Sequence, residues 1–192
     1  MKRGSPRTRP TARPRAGGGH RQWVEGACCS GVAAYPAAHP TAIPMPATVS
    51  ARAVTADDRP TLNVLGLPHT VLVSADDTGG GYEVVEITGE PGLGVPPHVH
   101  QGEDETFYVV EGQVAFTLGG EERVCGPGTA VHLPRAAPHG FRIAGDGPAR
   151  LLLTVAPGGL EPMFRALAEL PAGPPDPETV GAICGRHAIS FV

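Results

Sequence analysis

No stretch of this sequence is apolar for the roughly 20 consecutive residues that a membrane-spanning helix needs. There is also no CxxC pair. The four cysteines are Cys28, Cys29, Cys125 and Cys184, a spacing that supports neither a disulfide framework nor a structural zinc site, so reduced thiols and a cytoplasmic setting are expected. A secretory signal needs an apolar run after a basic start. The best candidate, Ala27 to Ala38, is mostly small residues and proline. Excess positive charge is missing from the body of the chain as well. From residue 51 onward eight arginines face eighteen acids, which disfavours nucleic acid as the main partner.

The basic residues gather instead in positions 1–50, where seven Lys/Arg stand against the single acid Glu25. This arm has no aromatic interleaving and no helical period, so it reads as a solvated tail. Residues 1–59 hold few large apolar side chains and are rich in Arg, Pro, Ala and Gly. Such a segment cannot bury enough surface to offset its ordering entropy, and a disordered tail is expected. Met45, just before the composition changes, offers an alternative start.

Glycine (27) and proline (22) are abundant, which suits both a tail and a chain of many short strands. From Thr61 the texture becomes short runs of Val, Leu, Ile, Thr and Phe: Thr61–Leu67, Thr70–Ser74, Tyr82–Thr88, Glu105–Val110, Gln113–Leu118, Glu121–Cys125, Ala130–Pro134, His139–Ile143 and Arg150–Val155. Turn-formers separate them, among them Glu111-Gly112, Gly119-Gly120 and Gly126-Pro127-Gly128. Within Gln113–Leu118, Val114, Phe116 and Leu118 share one face. The pattern predicts an all-β antiparallel sandwich or barrel. Two helices should follow, Leu160–Leu170 and Asp176–His187, the second with Asp176 as N-cap and Pro177 at the first helical position. They are expected to cover a barrel edge or to form dimer contacts. The organisation predicted is a tail over 1–59, a barrel over 60–157 and a helical extension over 158–192.

The chemistry lies in two segments. Along a strand His98 and His100 point to the same face, so both imidazoles can meet at one point. Glu105 follows a short Gly-containing connection, and an antiparallel return would bring its carboxylate beside them. Two imidazoles and a carboxylate suit Fe, Mn, Ni, Co or Zn, with room left for water or substrate. A fourth ligand should come from a later strand, and His139, at the entrance to a strand, is the natural candidate.

Gly92, His98, His100, Glu105 and Gly112 stand at every defining spacing of the first cupin motif, and Gly128, Pro134 and His139 resemble the second. Ala136 replaces a usual glycine and Ile143 a common asparagine. The chain from about Thr61 to Pro157 thus resembles the single-domain cupins described as quercetin-dioxygenase-like. The resemblance implies a jelly-roll barrel, one divalent transition metal on His98, His100, Glu105 and His139, and a homodimer. It also implies an oxygenase acting on a small aromatic or flavonol-like molecule, with Glu105 as both ligand and general base. Two rivals stay open: a non-redox isomerase or cyclase of a polyketide-like compound, and a cupin that binds a small molecule without turnover.

Other residues take structural readings. His132 should be exposed, and His20, His39, His69 and His187 have no partner pattern. Glu103 and Asp104 read as solvated loop acids, and Arg135 as a surface arginine near the barrel mouth. Phe107, Tyr108 and Phe116 read as core or pocket-wall aromatics, and Cys125 as a small buried hydrophobe.

Overall fold

The computed structural model describes Ala51 and residues 53–192. Residues 1–50 and Arg52 of the expected tail lie outside the described residues, and with them the alternative start at Met45, Cys28, Cys29, His20 and His39. The strands are β1 (Thr61–Val64), β2 (Leu67–Val73), β3 (Glu83–Gly89), β4 (Gly94–His100), β5 (Asp104–Glu111), β6 (Gln113–Leu118), β7 (Glu121–Cys125), β8 (Ala130–Leu133), β9 (His139–Ala144), β10 (Ala149–Ala156) and β11 (Ile189–Phe191). Two helices, α1 (Glu161–Ala168) and α2 (Pro177–Gly185), lie between β10 and β11.

The run Thr61–Leu67, expected as one strand, is broken into a hairpin. Leu65 and Gly66 take φ values of 52° and 93°, and the Gly66 N–H donates to Asn63 Oδ1 at 3.0 Å. Positive φ at both central residues is what a two-residue hairpin turn demands, and the apolar run disguised it.

Two antiparallel sheets form the body. One has the order β1-β2-β3-β10-β5-β8, the other β11-β4-β9-β6-β7. The strand pattern explains the layering. In β3 the residues Glu83, Val85, Ile87 and Gly89 are buried in strict alternation, and in β10 Ala149, Leu151, Leu153 and Val155 are. Facing them are Val114, Phe116, Phe141 and Ile143 of the second sheet, so the core sits between the layers. Phe107 bridges the sheets, its ring centroid 5.5 Å from Phe116 and 5.3 Å from Phe141. Fully burying a side chain of this kind contributes roughly 1.5–3 kcal/mol. Tyr108, the next residue on β5, points outward and is 46% exposed, against the expectation of a core or pocket role. The alternation of the strand requires this, because Phe107 faces in.

The Glu111-Gly112 turn shows why glycine is needed there. Gly112 has φ 76°, and a Cβ would stand 2.4 Å from the Pro148 carbonyl oxygen.

Both predicted helices are present. Asp176 caps α2, its carboxylate accepting from the Thr179 N–H at 3.0 Å. Met163, Phe164 and Leu167 of α1 and Val180, Ile183 and Cys184 of α2 join the core. The chain then returns as β11, which the sequence did not signal. It pairs with β4, Ile189 opposite His100 and Phe191 opposite His98.

Candidate metal centre

Three of the four predicted ligands come from one sheet. His98 and His100 are two apart on β4 and share its inner face. His139 opens β9 directly opposite His98 in the antiparallel register, with ring centroids 4.5 Å apart. Glu105 comes beside them as expected, but not by an antiparallel return. Strand β5 belongs to the other sheet, between β10 and β8, so its carboxylate meets the imidazoles across the interior. A three-residue connection, 101–103, lets the chain cross between layers.

The four side chains each offer a ligand atom, all within 4.8 Å of one another, and all four residues are buried. Nε2 of His98 and His100 are 3.0 Å apart. Oε2 of Glu105 is 3.0 Å from His139 Nε2, and its Oε1 is 3.6 Å from His100 Nε2. Two donors held about 2.1 Å from a shared ion stand about 3 to 4 Å apart, so these separations suit one small cation.

Proton accounting supports the fit. Backbone carbonyls only accept, so Nδ1 of His98 donates to Pro96 O and Nδ1 of His139 donates to Ala137 O, each at 2.8 Å. In the neutral rings both Nε2 atoms are then lone pairs. Nδ1 of His100 approaches Glu103 Oε2 at 3.4 Å without a hydrogen bond between them. With both rings neutral, the Nε2 lone pairs of His98 and His139 converge on the Glu105 carboxylate. Buried acceptors aimed at one another repel unless a cation or a proton lies between them. The four residues are compatible with a single metal ion, whose identity the donor set leaves open.

The surroundings set the charges. Burial pushes His98 down to about 4, against the opposing pull of its bond to Pro96, so its imidazole is neutral. In the metal-free protein burial also acts on Glu105 and His139, raising the first and lowering the second. Their mutual hydrogen bond and opposite charges outweigh it, so Glu105 lies below its ordinary value and His139 above.

Of the two acids expected in solvent, Asp104 keeps 37% of its side chain exposed, while Glu103 is only 17% exposed. Glu103 Oε2 and His100 Nδ1 are buried, and among the described residues neither has a hydrogen-bond partner. Glu103 is therefore positioned as the outer carboxylate of His100. Asp104 is clamped by Arg135, which donates from its backbone N–H at 2.9 Å and from Nε and an Nη at 3.0 and 2.9 Å. These bonds hold the Asp104 carboxyl down at about 2. Arg135 is the surface arginine expected, and His132 is exposed as expected.

A cavity of about 590 Å³ opens onto the cluster, lined by His98, His100 and Glu105 and otherwise almost entirely by apolar side chains. His69 is its other polar residue, and the helices close over it with Leu160, Met163 and Phe164. Sequence reasoning missed His69 and also Glu83, which is fully buried. The Glu83 carboxylate accepts the N–H of Gly159 at 3.1 Å and of Leu160 at 3.0 Å, and so holds the approach to α1. A signal was present for both. His69 is in phase with the inward Leu67 and Val71, and Glu83 with Val85 and Ile87.

Comparison with known proteins fits this geometry. Residues 85–155 match the cupin domain family. Quercetin 2,3-dioxygenase of Bacillus subtilis (strain 168) is 31% identical over 101 residues, covering 53% of this chain and 30% of that protein. The chain spans less than a third of the length of the curated relatives it matches. Among solved structures, the polyketide cyclase RemF from Streptomyces resistomycificus superposes with TM-score 0.51 at 26% identity, covering 56% of this chain and 80% of that one. An RmlC-like cupin from Shewanella frigidimarina NCIMB 400 shares the fold, with TM-score 0.50, 21% identity and coverage of 57% and 93%. The family match falls on the strands that carry or flank Glu105 and His139, so residues 85–155 of this chain are a cupin domain.

Proposed function

We propose that this protein is a metal-dependent oxygenase, with His98, His100, Glu105 and His139 holding one divalent transition metal and the cavity receiving a small aromatic, flavonol-like molecule. The observation that carries this reading is the joining of a buried three-histidine, one-carboxylate cluster to an apolar cavity of about 590 Å³. The likeness to a quercetin 2,3-dioxygenase supports the choice of chemistry.

When bound, the metal supplies Lewis acidity at a substrate oxygen and, where redox-active, a route to dioxygen. The protein does the remainder. The carbonyls of Pro96 and Ala137 fix the tautomers of His98 and His139 so that both Nε2 atoms face the cluster. Glu105, the one member that is a carboxylate, takes the proton of a substrate hydroxyl at Oε1 or Oε2. The apolar walls exclude water from the reacting end, which strengthens each charge interaction there. A homodimer and a cytoplasmic setting belong to the same reading; light scattering tests the first. Among the described residues no helix is long and apolar enough to cross a membrane.

A non-redox cyclisation or isomerisation of a polyketide-like compound is the second reading, favoured by the likeness to RemF. Elemental analysis of the purified protein, beside the His98→Ala/His100→Ala double variant, comes first. The expected result is about one transition metal per chain, lost in the variant while the circular dichroism is kept. Oxygen uptake with flavonols then tests the oxygenase. Product formation without uptake would move the assignment to the cyclase, and absence of metal even after reconstitution would end both.

A further inference from the structure

His69 is the cavity's polar residue outside the candidate metal centre. It lies on β2, three strands from β5 in the sheet order, and its neighbours in register are Ile87, then Leu151, then Val109. His69 thus stands on a different strand of the shared cavity wall from the cluster, although the Glu105 charge still acts on it.

Its ring is fixed from two sides. Nδ1 donates to the Leu67 carbonyl at 2.8 Å, which makes Nε2 the acceptor in the neutral ring. The ring packs on Phe164 of α1 with centroids 5.0 Å apart. The residue is only 4% exposed, and Nε2 has no protein partner among the described residues. Nε2 is not among the fully buried side-chain atoms left without a partner, so it is reached from the cavity, where a ligand donor can bond it. The environment also keeps this acceptor neutral, because burial pushes His69 down to about 4.

We infer that His69 is a specificity-determining residue of the cavity, whose Nε2 accepts a hydrogen bond from a hydroxyl that the ligand carries away from its metal-facing end. The inference rests on the reading that the cavity takes hydroxylated aromatic molecules. It narrows the class to those with a hydroxyl donor remote from the reacting group, and it distinguishes them from ethers of the same shape. No covalent step is assigned to His69; it positions the ligand.

Two probes of nearly equal shape test this: 2-naphthol, which donates, and 2-methoxynaphthalene, which does not. Binding of each to the full-length protein as purified is measured by calorimetry for wild type, His69→Phe and His69→Gln. The wild type should prefer 2-naphthol by about fivefold or more, the weight of one buried hydrogen bond. His69→Phe should lose the preference while still binding the ether, and His69→Gln, which keeps an acceptor, should retain part of it. In wild type, independent of any variant, the Nε2 resonance of His69 should shift with 2-naphthol and not with the ether. Equal affinities in wild type, a preference that survives in His69→Phe, an unmoved resonance, or failure of both probes to bind would each overturn the inference. If flavonols are not oxidised while the naphthol preference holds, the oxygenase reading falls and the role of His69 stands.

Discussion

His139 Nε2 lies 3.0 Å from Glu105 Oε2, and this contact joins the two sheets at the cluster. One partner opens β9 of the five-stranded sheet and the other stands near the start of β5 in the six-stranded sheet. The site is therefore a product of how the layers close. Anything that shifts one sheet against the other changes the ligand set before it changes the strands.

The outer carboxylate should matter to the metal almost as much as a ligand does. Glu103 faces His100 Nδ1 at 3.4 Å with its oxygen buried. Glu103→Gln should weaken metal affinity about 10- to 100-fold, in line with loss of an outer-shell partner, with little change in the far-ultraviolet circular dichroism. Competition with a metallochromic chelator measures this. Unchanged affinity would mean that the Glu103–His100 contact orients nothing.

Acid should destabilise the metal-free protein through His69. Its folded value of about 4 lies below the ordinary 6.5, so the unfolded chain binds the proton first as pH falls. Stability is then unaffected above about pH 7 and falls progressively from about 6.5 toward 4. At 1.36 kcal/mol per unit, the full loss from this residue is roughly 3 kcal/mol. Urea melts of wild type and His69→Gln at pH 7 and pH 4.5 should show a smaller pH-dependent loss in the variant. Parallel losses would place the acid sensitivity elsewhere.

Removing the Glu83 carboxylate should loosen the approach to α1. The Gly159 and Leu160 N–H groups would lose their shared acceptor in a buried place. Glu83→Ala is expected to cost about 2–4 kcal/mol, and Glu83→Gln, which keeps one acceptor oxygen, about half of that. Because α1 walls the cavity with Met163 and Phe164, ligand affinity should fall along with the unfolding midpoint. A full-strength melt for Glu83→Ala would refute this account.

Ala136, the departure from the second cupin motif, occupies φ 65°, where a side chain is strained. Its N–H donates to the His100 carbonyl oxygen at 2.7 Å, so the strained residue is tied to the strand that carries the histidines. Ala136→Gly should raise stability by about 1 kcal/mol, read as a higher denaturant midpoint at unchanged slope. A loss instead would show that the unfolded-state entropy of glycine outweighs the relief of strain.

The sequence by itself determined the all-β character and several of the strands, because period-two alternation with glycine turns can be read in Tyr82–Thr88, Gln113–Leu118 and Arg150–Val155. It also determined the four members of the cluster, because ligand chemistry and spacing are local properties of the chain. At Ala136 it recorded a missing glycine, and the backbone there keeps the left-handed conformation. What only the tertiary structure decided depended on which strands became neighbours. That Glu105 reaches His98 and His100 from the opposite sheet, not by an antiparallel return, depends on which strands pair with β5, since a strand's own pattern does not name its partner. His69, Glu83 and Glu103 looked ordinary because a polar residue's role depends on burial and on atoms distant in sequence, such as Phe164 for His69 and Gly159 and Leu160 for Glu83. The return of the C-terminus as β11 was likewise decided by the free edge of β4, a feature that exists only after the sheet has formed.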